Sequence, residues 1–183
     1  VFSTTPDRAS FLIIPASTTT KENTMTLNLL TQLAPGVARA GEGESLNVFG
    51  HTLTFKHRAD ELNGVALLWE LSSPPGTMVP PHIHAIEDEF IFVAEGELEV
   101  MIGGETHTAR AGDLIKMPRG VPHGIWQKGA ATTRTLWAVI PAGKMESLFH
   151  ALGALPANAP PDPARVGQIF AEHDLTLLPP PGL

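Results

Sequence analysis

Two histidines, His82 and His84, stand two positions apart in the run Gly76-Thr77-Met78-Val79-Pro80-Pro81-His82-Ile83-His84. On a β-strand this spacing puts both imidazoles on one face. A carboxylate, Glu89, follows five residues after His84, and a second run punctuated by turn residues, from Gly112 to His123, supplies a third imidazole. Three imidazoles and one carboxylate suit a divalent first-row metal held with one or more positions open. Such an ion keeps a net positive charge, so it can bind an anionic oxygen and lower its pKa. Pro80 and Pro81 stiffen the approach to the first ligand, and Pro118-Arg119-Gly120 makes a turn that brings His123 back toward the others.

The two runs resemble the paired motifs of the cupins. Gly76, His82, His84, Glu89 and Gly96 fit G-x5-H-x-H-x4-E-x6-G without a gap, and Gly112, Pro118, Gly120 and His123 fit G-x5-P-x-G-x2-H-x3-N. The last position departs, with Gln127 where Asn is usual; that position is not a metal ligand in the family, so the departure touches a local turn. Within the cupins, Pro80-Pro81-His82-Ile83-His84 followed by Glu87-Asp88-Glu89, and the later Pro118-Arg119-Gly120-Val121-Pro122-His123, are similar to the single-domain quercetin 2,3-dioxygenase-like proteins. The resemblance implies an all-β fold, the cupin jelly-roll double-sheet barrel. It also implies one divalent transition-metal ion (Fe, Mn, Ni, Co, Cu or Zn) held by His82, His84, Glu89 and His123. A metal-dependent dioxygenase would follow, with dioxygen as co-substrate and a hydroxylated aromatic or enol-type small molecule bound through a deprotonated oxygen. Glu89 would be the catalytic base. The same ligands serve lyases, isomerases and decarboxylases in other cupins, and a small-molecule-binding module without catalysis is the third reading. By motif spacing the ligand is Glu89; Glu87 and Asp88 fall on the turn before the strand, where solvation is expected.

The elements that must carry these residues are short strands: 45–49, 51–57, 65–71, 82–84, 89–94, 97–102, 106–109, 114–117, 124–127 and 133–140, with Asn63-Gly64 a hairpin turn. Alternation from Glu89 puts Ile91 and Val93 on its face and Phe90 and Phe92 on the other. Glu70 argues that Leu67 and Trp69 point inward, and Met101, Met117, Trp126 and Trp137 are candidates for core or pocket wall. Two helices close the chain. One covers 144–153, with Met145, Leu148, Phe149 and Leu152 on one face, and the other begins at Asp162-Pro163, an N-cap followed by proline. The expected organisation is an arm over 1–44 with a short helix at 26–33, a β-barrel over 45–143, and helices with an extended proline-rich tail over 144–183 in the same domain. Residues 1–24 read either as a Ser/Thr-rich arm or as sequence ahead of a natural start at Met25.

The remaining histidines, His51, His57, His107, His150 and His173, lack ligand spacing. With 12 basic against 19 acidic side chains the net charge is −7, and no basic patch invites nucleic acid or an anionic membrane. Cysteine is absent, which excludes a disulfide or thiolate chemistry. No apolar run reaches the ~20 residues of a membrane span, and residues 11–14, followed by Pro15, are too short for a signal-peptide core. The expected location is the cytoplasm. The aromatic face of Phe90 and Phe92 asks for a cover, either a helix or a second subunit, and a homodimer is expected.

Overall fold

The computed structural model describes residues 33–156 and 162–179. The strands are β1 (Ser45–Val48), β2 (His51–His57), β3 (Leu67–Ser73), β4 (Met78–His84), β5 (Asp88–Glu95), β6 (Glu97–Ile102), β7 (Glu105–Arg110), β8 (Leu114–Met117), β9 (His123–Trp126), β10 (Thr133–Ile140) and β11 (Leu175–Leu177). Helices α1 (Met145–Gly153) and α2 (Pro163–Glu172) lie between β10 and β11. The strands form two antiparallel sheets, ordered β1-β2-β3-β10-β5-β8 and β11-β4-β9-β6-β7, the all-β double-sheet arrangement expected from the sequence. The helix expected at 26–33 and the arm before it lie outside the described residues, apart from Leu33, which is in no regular element.

The inner face of the larger sheet follows the period of two. Leu67, Trp69 and Leu71 on β3, Trp137 and Val139 on β10, and Ile91 and Val93 on β5 are all buried. They stand in rows: Trp69 opposite Trp137, which is opposite Ile91, and Leu67 opposite Val139, which is opposite Glu89. The Trp69 and Trp137 rings stack at 5.6 Å, and the Trp137 indole N–H donates to Thr135 Oγ1 at 2.6 Å. Each fully buried apolar side chain of this size contributes ~1.5–3 kcal/mol relative to exposure, so these rows hold the sheet's curvature around whatever Glu89 faces. At the Asn63-Gly64 turn both residues have positive φ, 54° and 73°, as a tight turn of this kind requires.

Helices α1 and α2 cover one mouth of the interior. Met145, Leu148, Phe149 and Leu152 of α1 are buried, as their spacing predicted, and so are Val166, Ile169 and Phe170 of α2. Phe149 meets the edge of Trp69 at 4.9 Å, and Phe170 meets the His82 ring at 5.7 Å. Asp162 caps α2 by accepting from the Ala164 amide at 3.0 Å.

Three features differ from the sequence reading. Strand β4 starts at Met78 and β3 runs to Ser73, each longer or later than its apolar run. Strand β11 is new: Asp174, at φ 63°, turns the chain out of α2 so that Leu175 and Leu177 pair with His84 and His82. Met101 and Trp126 are not core; they lie half-buried on the outer face of the smaller sheet, because the alternate residues Val100 and Ile125 take the inner face.

Asp88, at the start of β5, clamps the loop that leads into β9. It accepts from the Arg119 amide at 3.0 Å and from the guanidinium at 3.1 and 2.7 Å. The Arg119 hydrogen bonds lower its pKa from 3.8 to about 2. A carboxylate depressed in the folded state stabilises fully above its unfolded pKa and loses that stabilisation as pH falls through the folded one. The gap in thermal midpoint between wild type and Asp88→Asn should therefore be constant above pH ~4 and close as pH falls toward 2; a gap unchanged at pH 2 would show that the clamp is not ionic.

Candidate metal centre

His82 and His84 project from β4 and His123 from β9, neighbouring strands of the smaller sheet, with His82 and His123 in register. Glu89 comes from β5 in the larger sheet. Three imidazoles from one sheet therefore meet one carboxylate from the other across the interior. One ligand atom from each of the four lies within 4.8 Å of the others, and all four residues are buried. His82 Nε2 is 3.0 Å from His84 Nε2, and Glu89 Oε2 is 3.3 Å from His123 Nε2 and 4.0 Å from His84 Nε2.

The outer nitrogens fix what the inner ones carry. His82 Nδ1 lies 2.9 Å from the Pro80 carbonyl, and His123 Nδ1 lies 2.9 Å from the Val121 carbonyl. A carbonyl only accepts, so both Nδ1 atoms hold the proton and both Nε2 atoms present a lone pair inward. His84 Nδ1 faces Glu87 Oε2 at 3.2 Å, which orients it the same way. Four electron-pair donors thus crowd one point; among the described residues His123 Nε2 and Glu89 Oε2 have no hydrogen-bond partner. Buried acceptors without partners are costly. A single cation satisfies all four together, and an N3O set is one that divalent transition metals accept. The arrangement fits a metal ion. Burial, and then the charges of His123 and His84, push the His82 pKa well below the ordinary imidazole range, against the Pro80 carbonyl. Burial also lowers that of His84, but the bond to Glu87 and the charges of Glu89 and Glu87 outweigh it and the net shift is upward.

Glu87 corrects the sequence reading. It was expected in solvent and is 0% exposed, aimed at the back of His84. A carboxylate behind a ligand histidine fixes its tautomer and raises its basicity. The room for it comes from Gly143: a Cβ there would lie 1.7 Å from Glu87 Oε1, and its φ of 52° disfavours a side chain independently. Nothing near Glu87 in sequence signals this, since the void is made by a glycine distant in the chain. Asp88, in contrast, is exposed on its clamp with Arg119. Gly143→Ala should destabilise the fold by ~1–3 kcal/mol in denaturant unfolding, and Glu87→Ala in the same background, which removes the carboxyl that the new methyl meets, should cost less than it does in the wild type.

Beside the cluster lies a cavity of about 50 Å³, lined by His82 and Glu89 and by apolar side chains including Trp69, Trp137, Phe149 and Phe170. The other histidines stay away from the cluster. His57 bonds Glu61 at 3.3 Å, His107 is exposed, and His173 Nδ1 donates to the Ile169 carbonyl at 2.7 Å. His51 is buried and lines the same cavity. Gln127, the departure from the motif, holds the loop after β9: its amide nitrogen donates to the Ala131 carbonyl at 2.6 Å and its carbonyl accepts from the Gly129 amide at 2.8 Å.

Comparison with known proteins agrees with this geometry. Residues 69–139 match the family described as Cupin domain. The chain is 32% identical over 83 residues to the polyketide synthase CurC of Streptomyces cyaneus, covering 45% of this chain and 54% of that protein. It is 26% identical over 128 residues to the quercetin 2,3-dioxygenase of Bacillus subtilis (strain 168), covering 70% of this chain and 37% of that protein. The chain therefore spans about half the length of one of these curated relatives and little more than a third of the other. Among solved structures, the polyketide cyclase RemF from Streptomyces resistomycificus shares 25% identity at a TM-score of 0.50, over 59% of this chain and 80% of that one. The two-sheet topology and the His/His/Glu/His cluster agree with the Cupin domain match over residues 69–139.

Proposed function

We propose that His82, His84, Glu89 and His123 hold one divalent transition-metal ion, and that the protein is an enzyme ionising the hydroxyl of a hydroxylated aromatic or enol-type small molecule. The observation that carries this is the convergence of four buried donors, two of them without any protein partner. The ion, when bound, supplies Lewis-acid stabilisation of an oxyanion. The chain supplies the rest. Glu89, lining the cavity with Oε2 unpartnered, takes the hydroxyl proton as general base. Trp69, Trp137 and Phe149 give a dry wall that strengthens charge interactions and suits an apolar body. Glu87 holds His84 in place from behind.

Two outcomes for the ionised substrate have separate support. Oxygenation, the first, is favoured by the likeness to a quercetin 2,3-dioxygenase over 128 residues. Non-oxidative ring closure or elimination, the second, is favoured by the likeness to the polyketide synthase CurC and the polyketide cyclase RemF. A cavity of about 50 Å³ is small beside the ~300–1,000 Å³ of pockets for drug-sized ligands, so a flavonol enters only if lining side chains move. The test is elemental analysis of the purified protein, then an oxygen-electrode screen of flavonols, catechols and diketones. Turnover with oxygen uptake supports the first outcome; turnover without it supports the second. Glu89→Gln should lose part of the metal and, at matched occupancy, ~10²–10⁴-fold in turnover. His123→Ala should lose metal and activity together. A Gln variant with wild-type turnover per metal would remove Glu89 as base.

Among the described residues no helix covers Phe92. Leu136, Phe92 and Leu114 stand in one row across β10, β5 and β8, 41%, 42% and 68% exposed. This row is proposed as the homodimer face. Light scattering at micromolar concentration should give twice the chain mass, and Phe92→Glu should give a folded monomer; a monomeric wild type would overturn the assignment.

A further inference from the structure

His51 opens β2 and its side chain is 2% exposed. Its Nδ1 lies 2.9 Å from Ser73 Oγ, itself buried at the end of β3, so the ring is held from one side. Its Nε2 is buried and has no hydrogen-bond partner. It lines the same cavity as His82 and Glu89. Apart from the two tryptophan rings, the other lining side chains are hydrocarbon or thioether, among them Leu53, Leu71 and Leu148. One apolar cavity is thus lined both by two residues of the metal cluster and by an imidazole whose Nε2 lacks a partner among the described residues. That is the pattern of a ligand pocket, in which a few placed polar groups fix orientation within an apolar lining.

We propose that His51 is a specificity-determining residue, whose Nε2 hydrogen-bonds a second oxygen of the substrate while the first oxygen faces the metal cluster. The substrate class is then a slender, apolar-bodied molecule carrying a hydroxyl or carbonyl at each end. This rests on the metal-enzyme reading above for the first oxygen only. Ring chemistry accommodates either oxygen type. With Ser73 donating to Nδ1, the neutral ring donates from Nε2 to a carbonyl or hydroxyl; with Nδ1–H donating to Ser73, Nε2 accepts from a hydroxyl. The Met78 backbone approaches the His51 ring without completing a hydrogen bond to Nε2. A cavity of about 50 Å³ admits a two-ring body only as the lining side chains move. Access falls at Phe49, which lines both this cavity and an outer apolar groove of about 490 Å³. Phe49 is held at φ 53° in the turn before His51, a conformation that aromatic residues rarely adopt.

The probes are 2-naphthol and 2,6-dihydroxynaphthalene, titrated by calorimetry into the zinc-loaded protein. Wild type should bind the dihydroxy compound about tenfold tighter, the worth of one well-made buried hydrogen bond. His51→Leu should erase that preference and leave 2-naphthol affinity within about twofold, and His51→Gln should restore much of it. A preference that survives His51→Leu, no preference in wild type, or no binding of either probe overturns the proposal. If the leucine variant does not fold, the His51 Nε2 nitrogen shift of the wild type is read instead; it should move with the dihydroxy compound and stay with 2-naphthol, and equal shifts overturn the proposal. The metal-free protein separates the two readings. A 2-naphthol affinity that does not depend on zinc defeats the metal-bound oxygen, while the preference between probes still reports on His51.

Discussion

Four electron-pair donors brought to one buried point repel one another, and the fold is built to hold them there. His82 and His84 present nitrogens 3.0 Å apart, and Glu89 brings its oxygen from the opposite sheet. In water each would turn away to a solvent proton. Here the rings cannot turn, because each outer nitrogen is bound to an acceptor. The backbone makes those acceptors available by breaking its own ladder. Pro80 and Pro81 have no N–H to donate, and the β4–β9 register shifts between Val79 and His82. That frees the Pro80 carbonyl for His82, while the Pro81 carbonyl takes the Leu178 amide at 2.8 Å. Val121, in the loop before β9, does the same for His123. The prolines act less by stiffening the chain than by lacking the N–H groups that would continue the β4–β9 ladder.

Much of this was legible before any coordinates. Period-2 alternation put Ile91 and Val93 beside Glu89 and Trp69 beside Leu67, because a strand buried on one face records its register in its sequence. The spacing of His82, His84, Glu89 and His123 picked out residues that converge. What was hidden has a common cause. The burial of Glu87 depends on the missing Cβ of Gly143, and the orphaned nitrogen of His51 depends on its pairing opposite Ser73. Each is set by a contact between residues distant in the chain, and neither leaves a local pattern. Strand β11 is three residues long, too short for any period to register. Trp126 and Met101 are a different case. Their alternation with Ile125 and Val100 was readable, and the size of the side chains outweighed it.

Rigidity is distributed unevenly around the interior. The ligand-bearing strands are paired on both sides: β4 lies between β11 and β9, β9 between β4 and β6, and β5 between β10 and β8. The cover is held differently. Helix α1 rests on Phe149 and Leu148 packing and on Glu146, which accepts from Arg58 Nε at 2.7 Å and from the Ala59 amide at 3.1 Å. Lys144 ties the start of α1 to Asp174 at 2.9 Å, with both side chains substantially exposed. Side-chain contacts of this kind reopen at lower cost than a strand with neighbours on both edges. A centre fixed in the sheets and a cover fixed by side chains let one part change without the other. Phe49, Leu148 and Phe149 line the cavity without belonging to the four-residue cluster, so substitutions there would change the cavity's shape and spare the donor residues themselves.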